Sequence, residues 1–145
     1  MTDRIRALIA EHEGFRADPY QDSEGNWTVG YGHLIGREQP SEAESALFTA
    51  DTLENIFDAD IRQAKLDVAA IFPNAGFSYA RYAALVDMAF QLGRGRLRGF
   101  RRMIDAIGRN NWRTAAEEAL DSDWARAYER RAQEISRMLE TGLWE

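Results

Sequence analysis

Residues 13–33 read Glu13-Gly14-Phe15-Arg16-Ala17-Asp18-Pro19-Tyr20-Gln21-Asp22-Ser23-Glu24-Gly25-Asn26-Trp27-Thr28-Val29-Gly30-Tyr31-Gly32-His33. Tyr20, Trp27, Val29 and Tyr31 have the side chains of strands, and Ser23-Glu24-Gly25-Asn26 is a turn signal between two short extended runs. The stretch predicts a small hairpin or three-stranded sheet. Gly25, Gly30, Gly32 and Gly36 permit tight turns and close backbone approach.

Everything outside this stretch reads as helix. Upstream, Ile5, Leu8, Ile9 and His12 recur with helical spacing; Thr2 is placed to cap this helix and Gly14 to end it. Glu13 therefore falls at the helix end, against the following loop. Downstream, Ser41 and Glu44 form a capping-box pattern for a short helix. Thr49 can cap a long helix through Leu53, Ile56, Phe57, Ile61, Ala64 and Val68, ending before Pro73. Ser78 can cap a helix through Leu92, stopped by Gly93 and apolar on nearly every side, which marks a buried central helix. Further helices are expected over about 97–108, 112–121 and 126–140, with Gly142 as the last stop. The fold class is α+β. One domain spans 1–145: a sheet lobe over about 14–48, a connecting helix over about 50–72, and a helical lobe over about 73–145 that also takes in the N-terminal helix. A cleft between two such lobes is a natural ligand site.

Composition narrows the chemistry. The chain has 145 residues, no cysteine and two histidines. Disulfides, thiolate nucleophiles, cysteine zinc sites and histidine-rich metal cages are excluded. Asp22 to Asn26 resembles a calcium loop only superficially, since the required glycine offset and closing glutamate are missing. No metal or other cofactor is expected. Arg4, Arg6, Glu11 and Glu13 interrupt any apolar run near the start, so neither a signal peptide nor a membrane span is expected, and the reading is a soluble cytoplasmic product. The net charge of −6 argues against nucleic acid as a partner.

Two carboxyls and a hydroxyl crowd this segment. A helix end followed by a returning strand can bring Glu13 and Asp22 to one opening, with Thr28 on the next strand facing the same way. Glycosidic hydrolysis needs such a set: one carboxyl that arrives protonated and another that stays ionised. A hydroxyl can help to hold the attacking water. The run Glu13-Gly14-Phe15-Arg16, Tyr20-Gln21-Asp22, Gly25 and Thr28 to His33 resembles the signature of the phage-type lysozymes, the endolysin muramidases of glycoside hydrolase family 24. Residues 84–93, Gly99-Phe100, Asn111-Trp112, Ser122-Asp123-Trp124, Arg131 and residues 141–144 are similar to later landmarks of that family, so the likeness covers essentially the whole chain.

The resemblance implies roles. Glu13 is the expected general acid, with Asp22 and Thr28 positioning water and the anomeric carbon inverting. The expected substrate is the β-1,4 bond between N-acetylmuramic acid and N-acetylglucosamine in bacterial peptidoglycan. Leu34, Phe90 and Gln91 match substrate-binding positions. His33, Asp60 and Arg131 match supporting ones: His33 with Asp60 as a structural pair, and Arg131 as partner of the acid. Two saccharide-contacting positions of the T-even enzyme depart, becoming Met103 and Glu118 here. The implied product is a monomer made in the cytoplasm, of the host if phage-encoded, that acts on the wall after release.

Each residue also has a plainer reading. Glu13 can be a solvated carboxylate at a helix end, Asp22 a turn former, Thr28 an ordinary strand residue, and His33 a salt-bridged histidine rather than a base. Trp112, Trp124 and Trp144 fit core positions better than sugar platforms. The cluster Arg94, Arg96, Arg98, Arg101 and Arg102 can be a solvated helix face, a wall or membrane-surface contact, or, least in keeping with the acidic chain, a nucleic-acid patch. The rival functions are a lytic transglycosylase, which needs only one carboxyl, and a wall-binding module without catalysis.

Overall fold

The computed structural model describes residues 3–73 and 76–144. The chain is α+β: a three-stranded antiparallel sheet in the order β1-β2-β3, with helices before and after it. Two compact units meet in sequence within one long helix, the first running to Arg62 and the second starting at Gln63.

In the first unit, α1 (Arg4–Glu13) starts at Asp3, whose side chain accepts hydrogen bonds from the Ile5 and Arg6 amides. The expected cap, Thr2, lies outside the described residues; Asp3 takes the role because its carboxylate reaches two of the orphan amides of the first turn. The helix ends at Gly14 with φ 69° and ψ 173°. That is not the left-handed helical cap the sequence suggests but an extended, positive-φ conformation open essentially to glycine alone. It turns the chain directly into β1 (Arg16–Gln21). β2 (Trp27–Gly30) pairs with β1 through Tyr20↔Thr28 and with β3 (His33–Gly36) through Thr28↔Leu34.

After the sheet, α2 (Glu42–Ser45) carries the reciprocal Ser41/Glu44 capping box. Thr49 then accepts from the Thr52 amide ahead of α3 (Ala50–Ile71), as its position predicts. Ile5, Leu8, Ile9, Val29, Leu53, Phe57 and Ile61 are buried. Each such aliphatic or aromatic side chain contributes about 1.5–3 kcal/mol on burial. Arg6 bonds to Glu54 and Asp58 and lies over the Phe57 ring, fastening α1 to α3.

In the second unit, Ser78 caps α4 (Tyr79–Arg98) through the Arg81 amide. Every residue from Ala83 to Ala89 is buried, so this is the central helix that the apolar run predicts. Its regular course breaks at Gly93, where φ is 81° and ψ 166°. The expected helix over 97–108 is interrupted. The Gly99 and Phe100 amides bond back to Arg96 and Leu97, a tightened last turn, and α5 begins only at Arg101 (Arg101–Gly108).

α6 (Trp112–Leu120) follows an Asn111 cap. The stretch expected as one helix over 126–140 is two, α7 (Asp123–Ala127) and α8 (Glu129–Thr141), divided at Tyr128 with φ −127° and ψ 57°. Ser122 explains the earlier start, since its hydroxyl accepts from the Ala125 amide. Gly142 closes α8 in the left-handed conformation. α8 packs on α4 and α6, and α5 on α6. Trp124 is a core residue, whereas Trp112 and Trp144 are half-buried. No helix among the described residues is long and apolar enough to cross a membrane.

Candidate active site

Glu13 is the last residue of α1 and half-buried. The residues just after it fix its position. Phe15 lies 5.0 Å from Tyr31, and Tyr31 stacks on buried Phe57 at 4.0 Å, so an aromatic ladder holds the chain after Gly14 against the β2–β3 turn and α3. Such contacts contribute about 0.5–1.5 kcal/mol each beyond the area they bury. In that turn, Gly32 has φ 74°, and a β-carbon built on it would lie 2.8 Å from Glu13 Oε1 and 3.5 Å from the carboxyl carbon. The Glu13 carboxyl therefore rests on bare backbone.

A methyl group at residue 32 must displace the carboxyl or the turn. Gly32→Ala is expected to lower turnover by about 100-fold, the scale of a roughly 1 Å misplacement. The positive φ adds about 1–2 kcal/mol of strain. Steady-state rates beside a thermal melt separate the two effects. Turnover within two-fold of the parent would show that this contact does not position the carboxyl.

Asp22 stands where β1 turns back toward β2. Its Oδ1 accepts from the Glu24 amide at 2.9 Å and the Asn26 amide at 2.8 Å, while its own amide donates to the Asn26 carbonyl at 2.7 Å. The turn-forming reading of Asp22 therefore holds. Oδ2 has no hydrogen bond among the described residues. Tyr20 and Thr28 are cross-strand partners, as are Thr28 and Leu34, and such pairs share a sheet face. The alternation of the strand puts Asp22 on the same side as Tyr20. Thr28 is 7% exposed, beneath a largely exposed Leu34, and its hydroxyl reaches the Tyr20 carbonyl only at 3.5 Å.

His33 points to the other face, beside its partner Val29, and its Nδ1 lies 2.7 Å from Asp60 Oδ2 on α3. The Asp60 hydrogen bond holds the His33 pKa above its ordinary value, against the opposing effect of burial. A raised folded-state pKa stabilises fully below the unfolded value, near 6.5, and the benefit disappears as pH rises through the folded value. With both side chains about one-third exposed, the pair is worth about 1 kcal/mol. His33→Asn is expected to lower Tm by about 2–4 °C at pH 5.5. The gap should narrow toward pH 9. A pH-independent gap in parallel melts would contradict this pairing.

In the second unit, Phe90 and Gln91 are half-buried near the C-terminal end of the apolar run of α4. Gln91 Oε1 accepts from Trp124 Nε1 at 2.8 Å, so its amide NH2 is the group left to offer a ligand. Arg131 Nε donates to Asp87 Oδ1 at 2.8 Å, with the two side chains 9% and 0% exposed. Asp87 was not among the expected supporting residues; its signal is a lone acid inside the apolar run 83–92.

The arginine cluster is not uniform. Arg94 Nε donates to Asp67 Oδ1 at 2.8 Å, and Gln63 donates to the same oxygen. Asp67 is 4% exposed, so Arg94 is tied to α3 and leaves the surface cluster. Arg96, Arg98, Arg101 and Arg102 are exposed. Met103 is buried and Glu118 half-buried. No group of three or more potential metal ligands occurs among the described residues.

Comparison with known proteins adds to this geometry. Residues 10–139 match the model of the phage lysozyme family. "Probable T4-type lysozyme 1" of Dictyostelium discoideum is 25% identical over 98% of this chain and 96% of its own length. "Peptidoglycan hydrolase gp36" of Pseudomonas phage phiKMV is 29% identical over 82% of this chain and 13% of its own length. "Pre-baseplate central spike protein Gp5" of Enterobacteria phage T4 is 27% identical over 93% of this chain and 27% of its own length. With a match running from α1 to α8 around this sheet, the chain belongs to the phage lysozyme family.

Proposed function

We propose that the protein is a muramidase: it hydrolyses the β-1,4 bond between N-acetylmuramic acid and N-acetylglucosamine in bacterial peptidoglycan. Glu13 is the general acid, protonating the leaving oxygen. Asp22 is the ionised partner, and with Thr28 it holds the attacking water. The phiKMV relative's name as a peptidoglycan hydrolase supports the substrate class.

The observation that carries the reading is the seat of Glu13 on Gly32, at the end of the strand pair that bears Asp22 and Thr28. Inverting glycosidases hold their carboxyls about 6.5–9.5 Å apart to admit water, and inversion is the outcome that the family resemblance implies. Oδ1 of Asp22 is engaged by two amides, which leaves Oδ2 to accept a proton from water. Leu34, Phe90 and Gln91 contact the saccharide, Gln91 as an amide donor. His33 and Asp60 brace the sheet on α3.

The test is product analysis on purified peptidoglycan. Hydrolysis gives reducing N-acetylmuramic acid ends, which NMR should show first as the α-anomer. Anhydro-muramic ends would replace this reading with a lytic transglycosylase, and intact wall would replace it with a binding module.

A further inference from the structure

One end of the helical unit carries an aromatic pair that its core does not enclose. Tyr79, the first residue of α4, stacks on Trp144 with ring centroids 5.4 Å apart and planes 20° from parallel. Tyr79 is 51% exposed, Trp144 is half-buried, and Leu143 beside it is exposed. Apolar residues scattered singly over a surface are ordinary, whereas large rings gathered there mark a contact site. The pair is held in place from behind. α8 ends at Gly142 in the left-handed conformation, where a β-carbon would lie 3.0 Å from the guanidinium carbon of Arg81. That guanidinium donates to the Leu139 and Glu140 carbonyls at 2.7 and 2.9 Å and lies 4.3 Å from the centre of the Trp112 ring. It thereby satisfies two carbonyls that a helix end leaves without partners. The Leu143 amide donates to Thr141 Oγ1 at 3.1 Å. These bonds fix the turn after α8 and seat the indole against the start of α4.

The groups around the rings select the ligand. Tyr79 and Tyr82 are three residues apart on α4 and so share a face of it. Neither phenol hydroxyl makes a hydrogen bond among the described residues. Arg81, between them in sequence, is engaged with α8 and Trp112 and is not left to attract an anion. A flat apolar ring face edged by neutral hydroxyls is the complement of a pyranose. The axial C–H groups of such a sugar make one apolar face, and its equatorial hydroxyl and acetamido groups line the edge.

We propose that Tyr79 and Trp144 form a second saccharide platform, which holds an N-acetylhexosamine of the glycan strand away from the bond being cleaved. The inference takes its ligand from the muramidase reading and deepens it. Tyr79 and Gln91 stand twelve residues apart on α4, about 18 Å at a rise of 1.5 Å per residue, so the platform is separate from the saccharide contact at Gln91. A polymer held at a second point has a raised effective concentration at the first.

Titration of the intact protein with chitotetraose, followed by the indole N–H signals of its four tryptophans in proton–nitrogen NMR spectra, tests it. Trp124 Nε1 is bonded to Gln91 and reports the proposed cleavage site, while Trp144 reports the platform. The Trp144 signal should shift and saturate. Tyr79→Ala should weaken the affinity read at Trp144 by at least about five-fold, the scale of a lost ring contact, and Tyr79→Phe, which keeps the ring, should lose less. Unchanged Trp27 and Trp124 signals before ligand is added show that the variants are folded. A Trp144 signal that stays still in the parent, or that saturates equally in Tyr79→Ala, would overturn the platform. Movement of Trp124 in that case would leave the muramidase reading standing. Movement of Trp144 without Trp124 would support the platform and count against the saccharide contact at Gln91. A Trp144 shift with phosphatidylcholine vesicles but not with chitotetraose would overturn the platform in favour of a membrane surface.

Discussion

Glu13→Gln is expected to abolish wall lysis and leave the protein folded. The amide has nearly the shape of the carboxyl, so it can keep the seat against Gly32 at the end of α1. It cannot give up a proton to a leaving sugar oxygen. A positioned acid is worth about 10²–10⁴-fold in rate, and turnover on purified peptidoglycan should fall by that factor. Circular dichroism and Tm should match the parent to within about 1 kcal/mol of stability, as for substitutions that remove no packing. Residual turnover above a tenth of the parent's would take Glu13 out of the mechanism.

Asp87→Ala is expected to give the largest loss of stability. Asp87 is fully buried on α4, and its carboxylate accepts from the guanidinium of Arg131 on α8, itself 8% exposed. Removing the acid breaks the buried bond from Arg131 Nε to the Asp87 carboxylate. Breaking a buried pair in this way costs about 3–5 kcal/mol. For a chain of this size that is a Tm decrease of about 10 °C, readable by calorimetry. Asp87→Asn keeps an oxygen acceptor and should lose less. A drop below about 3 °C for the alanine variant would mean that Arg131 finds another acceptor without penalty.

The elements that were legible in the sequence are those punctuated by short-range chemistry. Ser41 with Glu44, Thr49, Ser78 and Gly142 each cap or close the helix they were expected to. The turn at Ser23 to Asn26 and the strands around it were equally readable. The break at Gly99-Phe100 was not, because a lone glycine followed by an aromatic residue does not distinguish a tightened turn from a continuous helix. The division at Tyr128 has no glycine or proline to announce it.

Long-range pairings were legible only in part. His33 and Asp60 came from family resemblance, and the geometry pairs them. The ladder of Phe15, Tyr31 and Phe57 and the Arg94–Asp67 tie depend on how distant segments stack, which no local pattern encodes. For the proposed site, the residue types and the β1–β2 placement of Asp22 and Thr28 were readable. The carboxyl resting on Gly32 needed coordinates.

The two amide bonds to Asp22 Oδ1 have a consequence for altering this enzyme. The side chain proposed to activate water is also the clasp that shuts its own loop, so chemistry and architecture cannot be tuned there independently. Asparagine keeps an oxygen for Glu24 and Asn26 and preserves the clasp while removing the base; alanine undoes both. A selection for folded variants randomised at this codon should therefore recover asparagine as the main survivor, and it would be inert.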